Sequence, residues 1–276
     1  MGSRIFARSR SLFPRGQAAS APMRLLSLLL ALSCSAPVFA QDAAAPQAVA
    51  TEAERFSTKL DELWKTRDAA DAVKQNDEVI RDGLKAFPSD YDILWRAARI
   101  RWWVADGLTD EKLKKQVAKE GWNYAKRGVE AKPAGPEAKY FTALNIGAYS
   151  QAVGILKALS DGLEGQFVDN LEFSLKNNES FDRYGGRTAK GRYYWELPWP
   201  KRDLGKSKAE LQKSIDKNPE HLRNYYFLAD TLLKDGDKKG AKDAIDKVLS
   251  GSDAYDPPEA RRVKAWGKTF VEKELK

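Results

Sequence analysis

The chain has 276 residues, 42% hydrophobic and 11% aromatic, which is enough apolar material for one or two domains with a sizeable core and excludes a disordered polypeptide. Its formal net charge of +8 overstates its basicity, because five arginines and no acid precede residue 41; the remainder of the chain carries 42 cations against 39 acids, or +3. Both signs alternate along the later segments, as in KDGDKKGAKDAIDK, an ordinary solvated surface that excludes nucleic acid as a partner.

Near the start, Met23-Arg24 opens an apolar run over residues 25–32, followed by Val38-Phe39-Ala40. A basic residue, a short apolar run and a small-x-small site make a secretory signal peptide over residues 1–40. The run is too short to span a bilayer, and no later stretch approaches the roughly 20 apolar residues a membrane helix needs. Residues 1–22 are rich in Arg and Ser, so either Met23 is the true start or the signal has a long basic segment. Cys34, the sole cysteine, has two fates: cleavage after Ala40 removes it, while a lipoprotein peptidase cutting before it leaves a lipidated terminus. Ser33 suits a lipidation box, but the usual leucine at its first position is missing. Neither fate leaves a disulfide or a cysteine metal site. A signal peptide without a membrane anchor points to the periplasm of a Gram-negative cell, with peripheral attachment, as an outer-membrane lipoprotein, only if Cys34 is lipidated.

An Ala/Pro/Gln linker over residues 41–54 precedes a helical domain over residues 55–276. Helix ends of one design recur there. GLKAFP at residues 83–88 matches GVEAKP at 128–133, and LEFSLKNNE at 171–179 matches LQKSIDKNP at 211–219. Their spacings of 45, 46 and 40 residues lie near the helix-pair repeat range. Leu60, Leu63, Trp64, Ile80 and Pro88 mark a first hairpin. Leu94, Ala97, Ala98, Ala125 and Pro133 mark a second, with an insertion of about 11 residues around ADGLTDEKLKK. Tyr140, Ala143, Leu144 and Leu171 give a third, interrupted by a glycine-punctuated insertion over residues 154–165. Gly191, Tyr194, Leu211 and Pro219 give a fourth, overlong by about four residues at LPWP. In the fifth, Tyr225, Leu228, Ala229 and Leu232 share one helix face, Gly236 permits the turn, and Ala241, Ile245 and Val248 share the next. These are tetratricopeptide (TPR) spacings, in which a small residue lets paired helices approach. Pro257-Pro258 closes the exit loop, and residues 259–274 form an amphipathic cap with Val263, Trp266, Phe270 and Val271 inward. The expected fold is all-α: a TPR-like solenoid of about five helical hairpins with a C-terminal capping helix, about 11 helices in one domain.

LWRAAR at residues 94–99, GRYYWELPWPKRD at 191–203 and LQKSIDKNPEHLRNYYFLADTLLKDGDKKGAKDAIDKVL after it resemble the T-component family, TPR-like periplasmic proteins associated with tripartite ATP-independent periplasmic (TRAP) transporters. The resemblance covers roughly residues 55–250 and is most specific at Leu-Pro-Trp-Pro and the adjoining repeat. It implies a helical periplasmic protein, often a lipoprotein, able to form a homotrimer, that works beside a periplasmic solute-binding protein delivering small organic acids. The incomplete lipidation box departs from that pattern.

In such repeats the first helix of each pair lines the concave side. Counting from Leu94 places Trp95, Arg99 and Trp102, Phe141 and Asn145, Arg192 and Trp195, and Tyr226 and Asp230 on that face. Arginine offers a planar donor fork to carboxylates and aromatics bury area cheaply, so the lining suits an anionic or amphipathic ligand or a partner segment. The same residues also suit simple space-filling in a tight superhelix. Trp199, set between Pro198 and Pro200, either folds back on a neighbouring repeat as a plug or projects as a partner contact.

Catalysis is not expected. The single histidine, His221, stands where helix-start residues belong and reads as a surface or capping side chain. With no cysteine downstream of Cys34, no Ser-His or Cys-His pair and no ordinary zinc site forms without it, so neither metal nor cofactor is expected. Residues 183–187 fail as a phosphate loop for want of a preceding strand and a Gly-Lys-Ser/Thr ending. Two functions remain: a transport accessory handling an organic anion or apolar metabolite, or a scaffold for another envelope complex in motility, secretion or outer-membrane assembly.

Overall fold

The computed structural model describes residues 51–275, so the expected signal peptide, Cys34 and most of the linker lie outside the described residues. Among them are twelve helices and no strand. Five hairpins follow in order: α1 (Glu52–Trp64) with α2 (Ala72–Ala86), α3 (Tyr91–Gly107) with α4 (Glu111–Ala131), α5 (Pro136–Val153) with α7 (Leu163–Asn177), α8 (Phe181–Glu196) with α9 (Leu204–Lys217), and α10 (Leu222–Lys234) with α11 (Lys238–Ser250). The cap is α12 (Pro257–Glu274). The chain is an all-α TPR-like solenoid. None of these helices is long and apolar enough to cross a membrane.

The recurring helix ends share one backbone solution. The C-caps Phe87, Lys132, Asn178 and Asn218 all adopt φ between −131° and −156° with ψ between 74° and 85°. Each carbonyl then accepts the amide three residues on, from Asp90, Gly135, Phe181 and His221. Starts are fixed as locally: Thr51 and Glu54 form a reciprocal capping box, and Asp90, Asp110, Asp203 and Asp237 accept amides of the first helical turn.

The ADGLTDEKLKK insertion is taken up by α3 and α4, 17 and 21 residues long, on either side of a short connection over residues 108–110. Three expectations change. The Thr51 cap starts the domain inside the expected linker. The glycine-punctuated insertion holds a twelfth helix, α6 (Ile155–Ser160), between Gly154 at φ 89° and Gly162 at φ 74°. Pro257 and Pro258 begin α12 instead of ending a loop, since the first helical turn needs no proline N–H.

Small residues set the helix spacing. Ala97, Ala98, Ala125, Ala138, Ala143, Ala229 and Ala241 are fully buried, and a Cβ on Gly191 would stand 2.6 Å from Leu211 Cγ across the α8–α9 contact. Arg67, in the α1–α2 loop, pairs at 2.7 Å with Asp256 before α12, and Arg262 of α12 donates at 2.8 Å to the Trp103 carbonyl. The last hairpin and the cap thus close against the first two, so the superhelix folds back on itself.

At the entry of α8, just after Phe181, Asp182, Arg183 and Tyr184 all take positive φ, 46°, 60° and 62°, and kink the helix start. Such a left-handed turn costs roughly 1–2 kcal/mol per non-glycine residue, so its neighbours must hold it. Tyr140 donates to Asp182 at 2.8 Å, Arg183 pairs with Asp256 at 2.8 Å, and the Arg183 and Tyr184 carbonyls accept from Asn218 and Ser214. Gly185 follows because a Cβ there would meet the Tyr140 hydroxyl at 2.1 Å.

Candidate functional site

The folded-back superhelix forms a cavity of about 160 Å³. Its lining divides by chemistry. Leu144 and Ala148 of α5, Ile155, Ala158 and Leu159 of α6, and Leu163 and Phe167 of α7 form an apolar wall. The polar part of the lining includes Arg67, Asp106, Tyr140, Asp182, Arg183, His221, Arg223 and Glu259, drawn from segments along the whole described chain.

The charged end is neutralised from within. Arg223 lies between Glu259 and Asp106, 2.8 Å from the latter, and stays cationic because those carboxylates outweigh its burial. Arg67 sits in the corner formed by the nearly perpendicular Trp64 and Trp103 rings, 4.2 and 4.3 Å from their centroids, while it pairs with Asp256. Burial pushes Asp256 and Glu259 up, but the arginines prevail and hold both below the usual carboxylate range. Burial drives the Tyr140 phenol well above its ordinary value, so it remains a neutral donor to Asp182.

His221 corrects the sequence reading. It precedes α10 but makes no side-chain cap, is only 7% exposed, and is one of the residues lining the cavity; its Nδ1 is buried and has no hydrogen-bond partner. Burial lowers its pKa, and the nearby Glu259 only partly offsets this, so the ring is neutral at pH 7.

The concave-face residues scatter. Trp102 and Arg192 do line the cavity. Trp95, Phe141 and Asn145 are core instead: Trp95 stacks on Phe141 at 6.0 Å, and the Asn145 amide donates to the carbonyls of Ala98 and Phe141. The reason is that α5 is surrounded by α3, α4, α7 and α8, so its cavity face is the neighbouring stripe of Tyr140, Leu144, Gly147 and Ala148. Arg99 is buried against Asp61 at 2.8 Å. Arg192 pairs with Glu196 at 2.8 Å and with Asp230, and it stacks 3.7 Å over Trp195, whose other contact is Lys234. Tyr226 packs on Trp266. The two arginines expected to receive an anion are therefore paired with carboxylates of the protein itself.

Trp199 is 86% exposed, so it is no plug. Its loop, residues 197–203, is tied down by Asp203 N–H to the Tyr194 carbonyl, Arg202 Nε to the Trp195 carbonyl, and Lys201 to Glu164 at the start of α7. Glu164 and Leu197 also line the cavity, which places this loop and α6, with Leu156 72% exposed, at the same rim.

The sequence model of a family described as regulator of microtubule dynamics protein 1-3 (RMD1-3) matches residues 56–180, less than half of the chain. Among solved structures, a thermophilic TPR protein of Thermus thermophilus superposes with a TM-score of 0.55 over 77% of this chain and 99% of that one, at 17% identity. No curated protein matches the sequence.

Proposed function

We propose that this protein is a non-enzymatic, exported accessory of a TRAP-type transport system that docks a periplasmic solute-binding protein through the loop carrying Trp199. The observation that carries the reading is the exposure of Trp199, greatest among the large apolar side chains of the described residues, on a loop held by backbone and ion-pair contacts. A rigid exposed tryptophan is a typical interface anchor, because it loses little conformational entropy when it is covered. The TPR-like fold supports a protein-binding role in general, and the resemblance at residues 191–203 supports the transport setting.

A second reading, a scaffold for another envelope machine, is favoured by the fold likeness alone, since solenoids serve many assemblies. Crosslinked capture on the tagged protein in native envelope separates the two. A solute-binding protein or permease subunit recovered with wild type and lost with Trp199→Ala is expected. Recovery of motility, secretion or outer-membrane assembly proteins instead overturns the transport reading, and unchanged capture with Trp199→Ala overturns the loop.

A further inference from the structure

We propose that the cavity binds an uncharged amphipathic molecule, with its apolar chain against the α5–α7 wall and its hydrogen-bonding head beside His221. This goes beyond the docking role and stands whichever protein meets the Trp199 loop.

Three observations converge. First, Leu144, Ile155, Leu159, Leu163, Phe167 and Leu197 bring apolar side chains to the lining from α5, α6, α7 and the 197–203 loop, which favours a hydrocarbon chain by displacing water from both. Second, every arginine of the lining is already committed: Arg67 and Arg183 to Asp256, Arg192 to Glu196 and Asp230, Arg223 to Asp106 and Glu259. A carboxylate or phosphate would have to break one of these pairs and leave a buried acid without its cation, and a cationic head would meet the same arginines. A hydroxyl or amide carries no such penalty. Third, His221 supplies what such a head needs: a buried ring on the cavity wall whose Nδ1 is without a partner. A buried polar atom in that condition gains most from a ligand that completes its hydrogen bond. Access is offered at α6, which is preceded by Gly154 and followed, after Asp161, by Gly162, both at positive φ, and which contributes Ile155, Ala158 and Leu159 to the lining.

The test uses the purified protein and N-phenyl-1-naphthylamine, a neutral fluorescent probe, with dodecanol, dodecanoate and dodecylammonium as competitors below their micellar concentrations. The expected result is saturable probe binding, displaced by dodecanol at concentrations at least tenfold lower than by either charged analogue. Leu144→Trp fills the cavity and abolishes binding, and Ala158→Trp serves if that variant fails to fold. His221→Leu, checked for native circular dichroism, weakens dodecanol about tenfold and the probe less than twofold. The proposal is overturned if no saturable binding occurs, if dodecanoate or dodecylammonium competes as well as dodecanol, if both filled variants still bind, or if His221→Leu leaves dodecanol unchanged.

Discussion

Arg67 and Asp256 meet at 2.7 Å with both side chains almost fully buried, although 189 residues separate them. The pair joins the first hairpin to the cap, and removing one partner strands a buried charge. Asp256→Leu should therefore cost about 3–5 kcal/mol. Denaturant titration checks the value, and a loss below about 1 kcal/mol, the worth of an exposed pair, would show that the junction is solvated.

Acid should open the same junction. Burial raises Asp106, Asp256 and Glu259, but their arginines outweigh it and hold all three below ordinary carboxylate values. Their stabilisation is thus fully present above the unfolded-state range of about 4 and is lost as pH falls through the lower folded-state values. Near-UV circular dichroism, sensitive to Trp64 and Trp103 around Arg67, should lose amplitude below about pH 4 while helical signal persists longer.

His221 titrates in a different window. Burial lowers its folded-state pKa below the unfolded value of about 6.5, so the unfolded chain takes the proton first and stability declines as pH drops from there toward the folded value. His221→Gln should flatten the decline. Unfolding free energies at pH 7 and pH 5 that change equally in wild type and variant would refute the assignment.

Truncating tryptophans should separate surface from core. Trp199→Ala is expected to change stability by less than about 0.5 kcal/mol, whereas Trp103→Ala, which removes a buried ring under Arg67 and Arg262, should cost about 3–5 kcal/mol. Equal losses in thermal melts would mean that the 197–203 loop packs against the body.

Gly154 adopts φ 89° and ψ 131°, a region that other residues enter at about 1–3 kcal/mol. Gly154→Ala should loosen α6 selectively. Hydrogen exchange should accelerate over residues 155–160 and remain unchanged in α10 and α11.

The repeats were legible because their signals are local: small residues where paired helices touch, apolar positions at helical spacing, and similar helix-end sequences spaced at 45, 46 and 40 residues. The cavity was not. Counting positions within a repeat assumes every first helix shows the same face inward, but α5 packs against α3, α4, α7 and α8, so Phe141 and Asn145 lie in the core and the stripe of Tyr140 and Leu144 reaches the wall. His221 was read from its place ahead of a helix, where exposure is usual. It lies instead on the wall of a cavity shared with Arg67, Asp182 and Glu259, and such meetings of remote segments leave no periodic trace in sequence. Trp199 was the intermediate case: the prolines announced a stiff connector, but only tertiary structure shows which way the ring points.

Closure also dictates an order of events while the chain is being made. Arg67 emerges 189 residues before Asp256, and Arg223 and Glu259 likewise come after the first two hairpins. At ordinary synthesis rates of 5–20 residues per second, roughly 10–40 s pass before the late acid exists. Throughout that interval the nascent first hairpin holds a cation that it cannot bury. The early repeats therefore wait, solvated and unlocked, for the last segment of the chain to finish their interior.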